Sequence, residues 1–124
     1  MKFMLLLYVE DSDEDSDEDD AHDGPPSEED MKRYQDFQEE AAKVATLIGE
    51  GALESVESTR AVVFRGGEGI PTDGPFADTK EHLAGFSLYE CADMETAVAL
   101  AAKMPMIAEG RLEVRKLRVF QAGN

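Results

Sequence analysis

The feature that most restricts the fold is a dense run of acidic residues close to the start of the chain. Between Glu10 and Asp23, ten of fourteen residues are aspartate or glutamate. Charges of one sign at this density repel each other and are not buried, so the run predicts a solvated loop inserted at residues 10–24. Of the 28 acidic residues, 18 remain elsewhere against 12 basic ones, a net charge of −6 that is ordinary for a folded domain. We therefore expect the ordered elements to lie on either side of this loop.

Composition sets the class of protein and excludes several functions. The 124 residues suffice for one domain, residues 1–124, and the 42% hydrophobic content is typical of a globular fold. The net charge of −16 argues against binding to nucleic acids or anionic membranes. A single cysteine excludes an internal disulfide and suits a reducing compartment. The apolar run at residues 3–9 is too short to cross a membrane, so we expect a cytoplasmic protein.

Two helices are predicted from apolar residues that recur every three or four positions. The first begins after Ser27, a capping residue, and ends at the glycines of residues 49–51. Its apolar positions are Met31, Tyr34, Phe37, Ala41, Val44, Leu47 and Ile48. The second covers residues 94–104 and is capped by Asp93. We interpret the aromatic and methionine positions of these helices as core, and no pattern in the chain indicates a cofactor.

Strands are predicted where apolar residues are continuous or alternate. They cover residues 3–9, 52–57, 60–65, a brief return strand at 70–72, 83–89 and a last strand from residue 112 onwards. The alternation of the last strand slips at Lys116, which predicts either a bulge there or a strand whose second half faces a different partner. The order of elements predicts a ferredoxin-like α+β sandwich, an antiparallel sheet with two helices on one face. The other face needs a cover, and we expect a second copy of the chain to form a homodimer.

The densest group of chemically useful residues lies in residues 72–86, a loop that leads into a strand. Loops held by a rigid sheet often carry binding and catalytic residues. The candidate site residues are Asp73, Gly74, Pro75, Phe76, Thr79, Lys80, Glu81 and His82. The Asp73 carboxylate can accept hydrogen bonds from turn amides, and Phe76 can anchor the loop in the core. The polar residues at the loop's exit complete a candidate site.

The run Thr-Asp-Gly-Pro-Phe-Ala-Asp-Thr-Lys-Glu at residues 72–81, followed by Ala-Gly-Phe at 84–86, resembles the signature of DGPF-domain proteins in the YCII-related (YciI-like) superfamily. The resemblance extends to residues 1–8 and 110–115. It implies a dimer of the α+β-barrel type, similar in fold to muconolactone isomerases. Relatives include proposed enzymes with a His–Asp pair in a cleft, and their genes often lie near those of extracytoplasmic-function sigma factors. The resemblance carries Asp73 over as the candidate functional acid and carries over no histidine.

Several of these residues have a structural interpretation beside the functional one. Asp73 is either a turn residue that satisfies backbone amides or a site acid, and His82 is either a surface residue or a general base. Asp11, Asp13 and Asp15 match the first ligand positions of an EF-hand loop. A serine and a histidine stand where that loop needs its glycine and its bidentate glutamate, so we predict no metal site.

Two functions follow as hypotheses. The first is a small dimer that binds a small molecule in a cleft between sheet and helices, with Asp73 at its mouth. If that site is catalytic, the chemistry is proton transfer of lyase or isomerase type, with Asp73 as base and Lys80 stabilising negative charge. The alternative is an interaction or regulatory module, a partner of a sigma-factor-type protein, whose acidic loop meets a basic surface in a salt-dependent way.

Overall fold

The structure is a computed structural model that describes residues 1–10, 27–74, 81–105 and 110–120. The acidic loop beyond Glu10, with the residues matched to an EF-hand, lies outside the described residues, as do residues 75–80. The strands are β1 (Lys2–Glu10), β2 (Ala45–Ala52), β3 (Arg60–Arg65), β4 (Glu68–Asp73), β5 (Glu81–Cys91) and β6 (Arg111–Lys116). The helices are α1 (Glu28–Ala41) and α2 (Met94–Ala102). Among the described residues, no helix is long and apolar enough to cross a membrane.

Four strands form one antiparallel sheet in the order β2-β5-β1-β6, and β3 pairs with β4 in a separate hairpin. The central strands β1 and β5 each precede a helix, and the strand that follows each helix lies at an edge of the sheet. Each helix therefore crosses one strand before the chain rejoins the sheet, which is the split βαβ arrangement of ferredoxin-like folds. The predicted α+β class is confirmed, with the β3–β4 hairpin inserted between β2 and β5.

Both helices pack on the same face of the sheet, which we call the helix face. Side chains alternate along each strand, so Phe3 and Leu5 of β1 share this face with Tyr89 and Cys91 of β5. These four residues form one buried cluster with residues of both helices. The helical members are Phe37, Ala41, Ala97 and Leu100. The opposite side of the sheet, the open face, carries Met4 and Leu6 of β1 opposite Leu88 and Phe86 of β5.

The two predicted helix caps are confirmed. The Ser27 hydroxyl accepts a hydrogen bond from the backbone N–H of Asp30 at 3.0 Å, which satisfies an amide that the first turn leaves free. The Asp93 carboxylate accepts hydrogen bonds from the backbone N–H and the hydroxyl of Thr96, at 2.9 and 2.7 Å. These bonds lower the pKa of Asp93 because they favour its charged form.

Three predicted boundaries are wrong, and pairing between strands explains the first of them. Helix α1 ends at Ala41 rather than at Ile48, because residues 45–52 form β2 and pair with β5. Residues 52–57 are not a strand, since β2 ends at Ala52 and a short 3₁₀ turn follows at Val56–Ser58. Helix α2 ends at Ala102, two residues before the predicted end.

The predicted bulge at Lys116 is also wrong. The pairing of β6 with β1 runs without a shift to Lys116, where the strand ends. The register shifts instead where β5 meets its two neighbours. One extra residue, Ala84, lies in β5 opposite β1, and one extra residue, Ile48, lies in β2 opposite β5. These two irregularities leave Ala84 and the end of β2 beside the cavity described next.

Candidate ligand site

A cavity of about 420 Å³ lies between the helix face of the sheet and helix α1. We call it the sheet–helix cavity. Its lining comes from α1, from β1, β2, β5 and β6, and from the chain just after α2. The lining residues are Leu5, Leu7, Tyr34, Glu50, Gly51, Ala52, Ala84, Gly85, Phe86, Ser87, Met104, Pro105 and Leu112. This volume falls within the range of about 300–1,000 Å³ that is typical of small-molecule sites.

Space for the cavity is left where β2 and β5 contribute only small residues to one row across the sheet. Ala52 of β2 lies opposite Gly85 of β5, and Gly85 lies opposite Leu7 of β1. The row of Leu47, Tyr89 and Phe3 instead fills the space beneath the helices with larger side chains. A Cβ atom at Gly85 would lie 2.9 Å from the carbonyl oxygen of residue 51, so the close approach of the two backbones requires glycine there.

Three polar side chains meet this otherwise apolar space. Glu50 and Ser87 are directly paired across β2 and β5, which places their Cβ atoms about 5 Å apart. The Tyr34 hydroxyl on α1 donates a hydrogen bond to the Glu50 carboxylate and so links the helix to the edge of the sheet. Burial, followed by the bond to Glu50, raises the pKa of Tyr34 to about 12. Tyr34 therefore stays protonated near neutral pH and keeps its role as a donor.

Ser87 is the buried polar residue of the described core and lines the cavity. Within the described parts of the chain its hydroxyl makes no hydrogen bond, so a bound molecule can use it as donor or acceptor. Further along α1, the Tyr89 hydroxyl donates to the Gln38 side chain at 3.4 Å. The buried Gln38 Nε2 has no partner among the described residues. Burial also raises the pKa of Tyr89.

Chemically, these groups can bind a small molecule and move a proton. The Glu50 carboxylate is exposed at the rim, where it can accept hydrogen bonds or a proton. Tyr34 can hold that carboxylate in place, and Ser87 can orient a polar group deeper in the cavity. Among the described residues no group of three or more His, Cys, Asp or Glu side chains is placed to hold a metal ion.

The structure places Asp73 at the end of β4, in the hairpin. Its carboxylate is 98% exposed and lies 3.6 Å from the guanidinium of Arg60. Asp73 is not among the described residues that line the sheet–helix cavity. The next residue, Gly74, donates a backbone hydrogen bond to Thr59, and a Cβ atom at Gly74 would lie 2.7 Å from the Thr59 side chain. The predicted site residues Pro75, Phe76, Thr79 and Lys80 lie outside the described residues.

Glu81 and His82 begin β5 at the end of the sheet nearest the acidic loop. The Glu81 carboxylate forms an ion pair with Arg111 at 2.7 Å, and the Arg111 guanidinium lies 5.8 Å from the centre of the Tyr8 ring. His82 is half-buried and paired across the sheet with Val9. Neither residue lines the cavity, so the predicted site residues that the structure describes lie away from it.

Glu50 and Ser87 are not among the site residues predicted from the sequence, and Tyr34 was assigned to the core. Two signals were present. A tyrosine stands on an apolar helix stripe, where its hydroxyl requires a partner, and a glutamate stands between two glycines. The second signal was hidden because the segment was interpreted as a helix end rather than as a strand.

Comparison with known proteins shows which family this chain resembles. The sequence profile of the YCII-related domain matches residues 1–121. An uncharacterised protein from Rhizobium meliloti (strain 1021), R00369, is 40% identical over 72 residues, which are 55% of this chain. The match covers 58% of that relative's length. The profile match confirms the resemblance that the segment at residues 72–86 indicated.

Proposed function

The chain belongs to the YCII-related family, and we propose that it binds a small molecule in the sheet–helix cavity, with Glu50, Tyr34 and Ser87 as its polar contacts. Membership of this family indicates the fold but does not identify a substrate. The observation that carries the proposal is the convergence on one apolar cavity of a carboxylate, a phenol and a hydroxyl that has no partner among the described residues. A few convergent polar groups on an apolar wall are typical of ligand sites.

Proton transfer is the reaction type that these groups suit. Glu50 is the base of this site, and Tyr34, which stays protonated at neutral pH, positions the Glu50 carboxylate through its hydrogen bond. Such a pair supports the lyase or isomerase class that the sequence predicted, at a different location. Asp73 and Lys80 stay the predicted catalytic pair of the loop at residues 72–86, and Asp73→Asn tests that location separately.

The binding proposal is tested with 2-phenylethanol as a neutral probe that has an apolar body and one hydroxyl. Titration is followed by ¹H–¹⁵N correlation spectra, and the backbone signals of Gly51, Gly85 and Ser87 should shift together. For a probe of this size we expect a dissociation constant on the order of 1 mM. Ala52→Leu adds bulk to the cavity wall and should weaken binding at least about fivefold. Ala42→Leu makes the same change at an exposed position directly after α1 and should bind like the parent protein.

Two outcomes of this titration would contradict binding in the sheet–helix cavity. If the probe shifts no cavity signal in the parent protein, or if Ala52→Leu and Ala42→Leu bind it equally well, the cavity is not the binding site. Glu50→Gln and Asp73→Asn extend the test to the polar contacts. We expect the first to alter the binding of the probe and the second to leave it unchanged.

We also propose that a second copy of the chain covers the open face of the sheet. Met4, Leu6, Phe86 and Leu88 lie beside one another there and are half-buried in the single chain, and a contiguous apolar sheet face of this kind is commonly covered by a partner. The edge strand β6 places charges of both signs beside this apolar centre, since Glu113 lies opposite Leu6 and Arg115 opposite Met4. Mixed charges around an apolar centre suit a two-fold interface, in which each surface meets its own copy.

Sedimentation of charged variants tests the dimer. Leu6→Glu and Leu88→Glu should each shift the protein from dimer to monomer, whereas Met31→Glu on the exposed side of α1 should leave the dimer intact. Circular dichroism melting of each variant shows whether it folds. A parent protein that sediments as a monomer at all concentrations would contradict the proposal.

The interaction-module alternative stays a prediction. It depends on the acidic loop at residues 10–24, of which the structure describes only Glu10.

A further inference from the structure

We infer that the ligand of the sheet–helix cavity is an organic amine, an apolar body that carries a cationic head able to donate hydrogen bonds. The inference rests on the proposed function, because it names the class of molecule that the same cavity takes. Three features of the cavity support it: its charge, its set of donors and acceptors, and the order of polar and apolar groups.

The charge of the lining is negative. Among the lining residues that the structure describes, Glu50 is the one carboxylate, and no lysine, arginine or histidine accompanies it. An anionic ligand would therefore meet a carboxylate of like charge with no basic partner nearby. The net charge of −16 on the whole chain acts in the same direction, since it attracts cations and repels anions on approach.

The cavity also offers unequal numbers of hydrogen-bond donors and acceptors. Tyr34 has one O–H, and it is already donated to Glu50. A carboxylate offers about four acceptor positions on its two oxygens, so Glu50 keeps most of its capacity after this bond forms. The Ser87 hydroxyl, paired across the strands with Glu50, can accept as well as donate. The site thus presents more acceptors than donors, and an ammonium group with three donors and no acceptor is the complementary head.

The order of these groups sets the orientation of the ligand. Glu50 is exposed at the edge strand β2, whereas Ser87 is buried on the next strand inwards and Leu5 on the strand after that. A ligand whose head lies at Glu50 extends its body over Leu5 and Leu7 of β1 towards Leu112 of β6, all of which line the cavity. The head keeps contact with water at the rim, so its charge need not be fully desolvated.

The test uses three probes that share one body and differ in the head: 2-phenylethylamine, 2-phenylethanol and phenylacetate. They are titrated at pH 7 against the parent protein, Glu50→Gln and the matched control Glu54→Gln, which removes an exposed carboxylate outside the cavity lining. In the parent protein we expect the amine to bind about three- to tenfold more tightly than the alcohol, and phenylacetate most weakly. Glu50→Gln should remove the preference for the amine, whereas Glu54→Gln should retain it.

The outcomes separate the two proposals. If all three probes leave the cavity signals unshifted, the proposed binding function fails. If the probes bind in the cavity but phenylacetate binds as tightly as the amine, the cavity stands as a site and the amine assignment is overturned. The assignment is also overturned if Glu50→Gln keeps the full preference for the amine, because the head would then be recognised elsewhere.

Discussion

Replacing Tyr34 with phenylalanine tests whether the hydrogen bond to Glu50 holds helix α1 over the cavity. The change removes one hydroxyl and leaves the ring. The Glu50 carboxylate is exposed, so it regains water and the loss stays near that of an ordinary hydrogen bond, about 1 kcal/mol. For a chain of this length that corresponds to a melting temperature about 3–5 °C lower. Tyr8→Phe is the matched control, because in the described structure the Tyr8 hydroxyl forms no hydrogen bond.

The same variant predicts a dependence on pH. The pKa of Tyr34 is raised from 10 to about 12 in the folded protein, so its contribution to stability is complete below about pH 10 and is lost as the pH rises through 12. The difference in unfolding free energy between the parent protein and Tyr34→Phe should therefore shrink over that interval. Denaturant unfolding at pH 7 and at several points above pH 10 measures it, and Glu50→Gln should reduce the effect of Tyr34→Phe at neutral pH. A loss no larger than that of Tyr8→Phe, or one that Glu50→Gln leaves unchanged, would refute the reasoning.

Three further substitutions test the fold that shapes the cavity, each by denaturant unfolding. Gly85→Ala should lower the free energy of unfolding by about 1–3 kcal/mol, because its Cβ would lie 2.9 Å from a backbone oxygen. Gly49→Ala, whose Cβ would have nothing within 4 Å, should be nearly neutral. Equal effects would contradict the close approach of the strands at Gly85. Leu100→Ala in the core should lower the free energy of unfolding by about 2–5 kcal/mol, and Leu53→Ala at a half-exposed position by less than about 1 kcal/mol. A larger loss for Leu53→Ala than for Leu100→Ala would contradict the position of the core. Asp73→Asn should change stability by less than about 1 kcal/mol because its ion pair is exposed, and a loss above about 2 would reveal a structural role for this acid.

The fold class could be predicted because its signals are local. The apolar run of β1 and the capping residues Ser27 and Asp93 each act within a few residues, and the structure confirms all three. The order of these elements, together with the motif at residues 72–86, then led to the family and the ferredoxin-like topology.

The boundary between α1 and β2 could not be predicted from local sequence signals. Val44, Leu47 and Ile48 continue the helical spacing, yet in the structure burial alternates along residues 45–52 in the manner of a strand. The choice depends on Tyr89, which lies opposite Leu47 and is more than forty residues away in the chain. Pairing with a distant strand therefore overrides the local periodicity.

The site was less predictable than the fold, for a related reason. Tyr34 and Glu50 become partners only because β2 folds back beside β5 and brings Glu50 beneath the helix. Neither residue belongs to a recognisable short motif, whereas the motif around Asp73 drew attention to an exposed hairpin. A conspicuous motif therefore identified the family, while the candidate cavity is formed by residues that long-range pairing brings together.

The central claim is that the small molecule binds on the helix face of the sheet and not on its apolar open face. Intermolecular nuclear Overhauser effects from 2-phenylethylamine to methyl groups distinguish these two faces directly. If the probe binds on the helix face, it should show contacts to Leu7, Met104 and Leu112, which line the cavity. Contacts to Leu6 and Leu88 on the open face, with none to the cavity methyl groups, would contradict it.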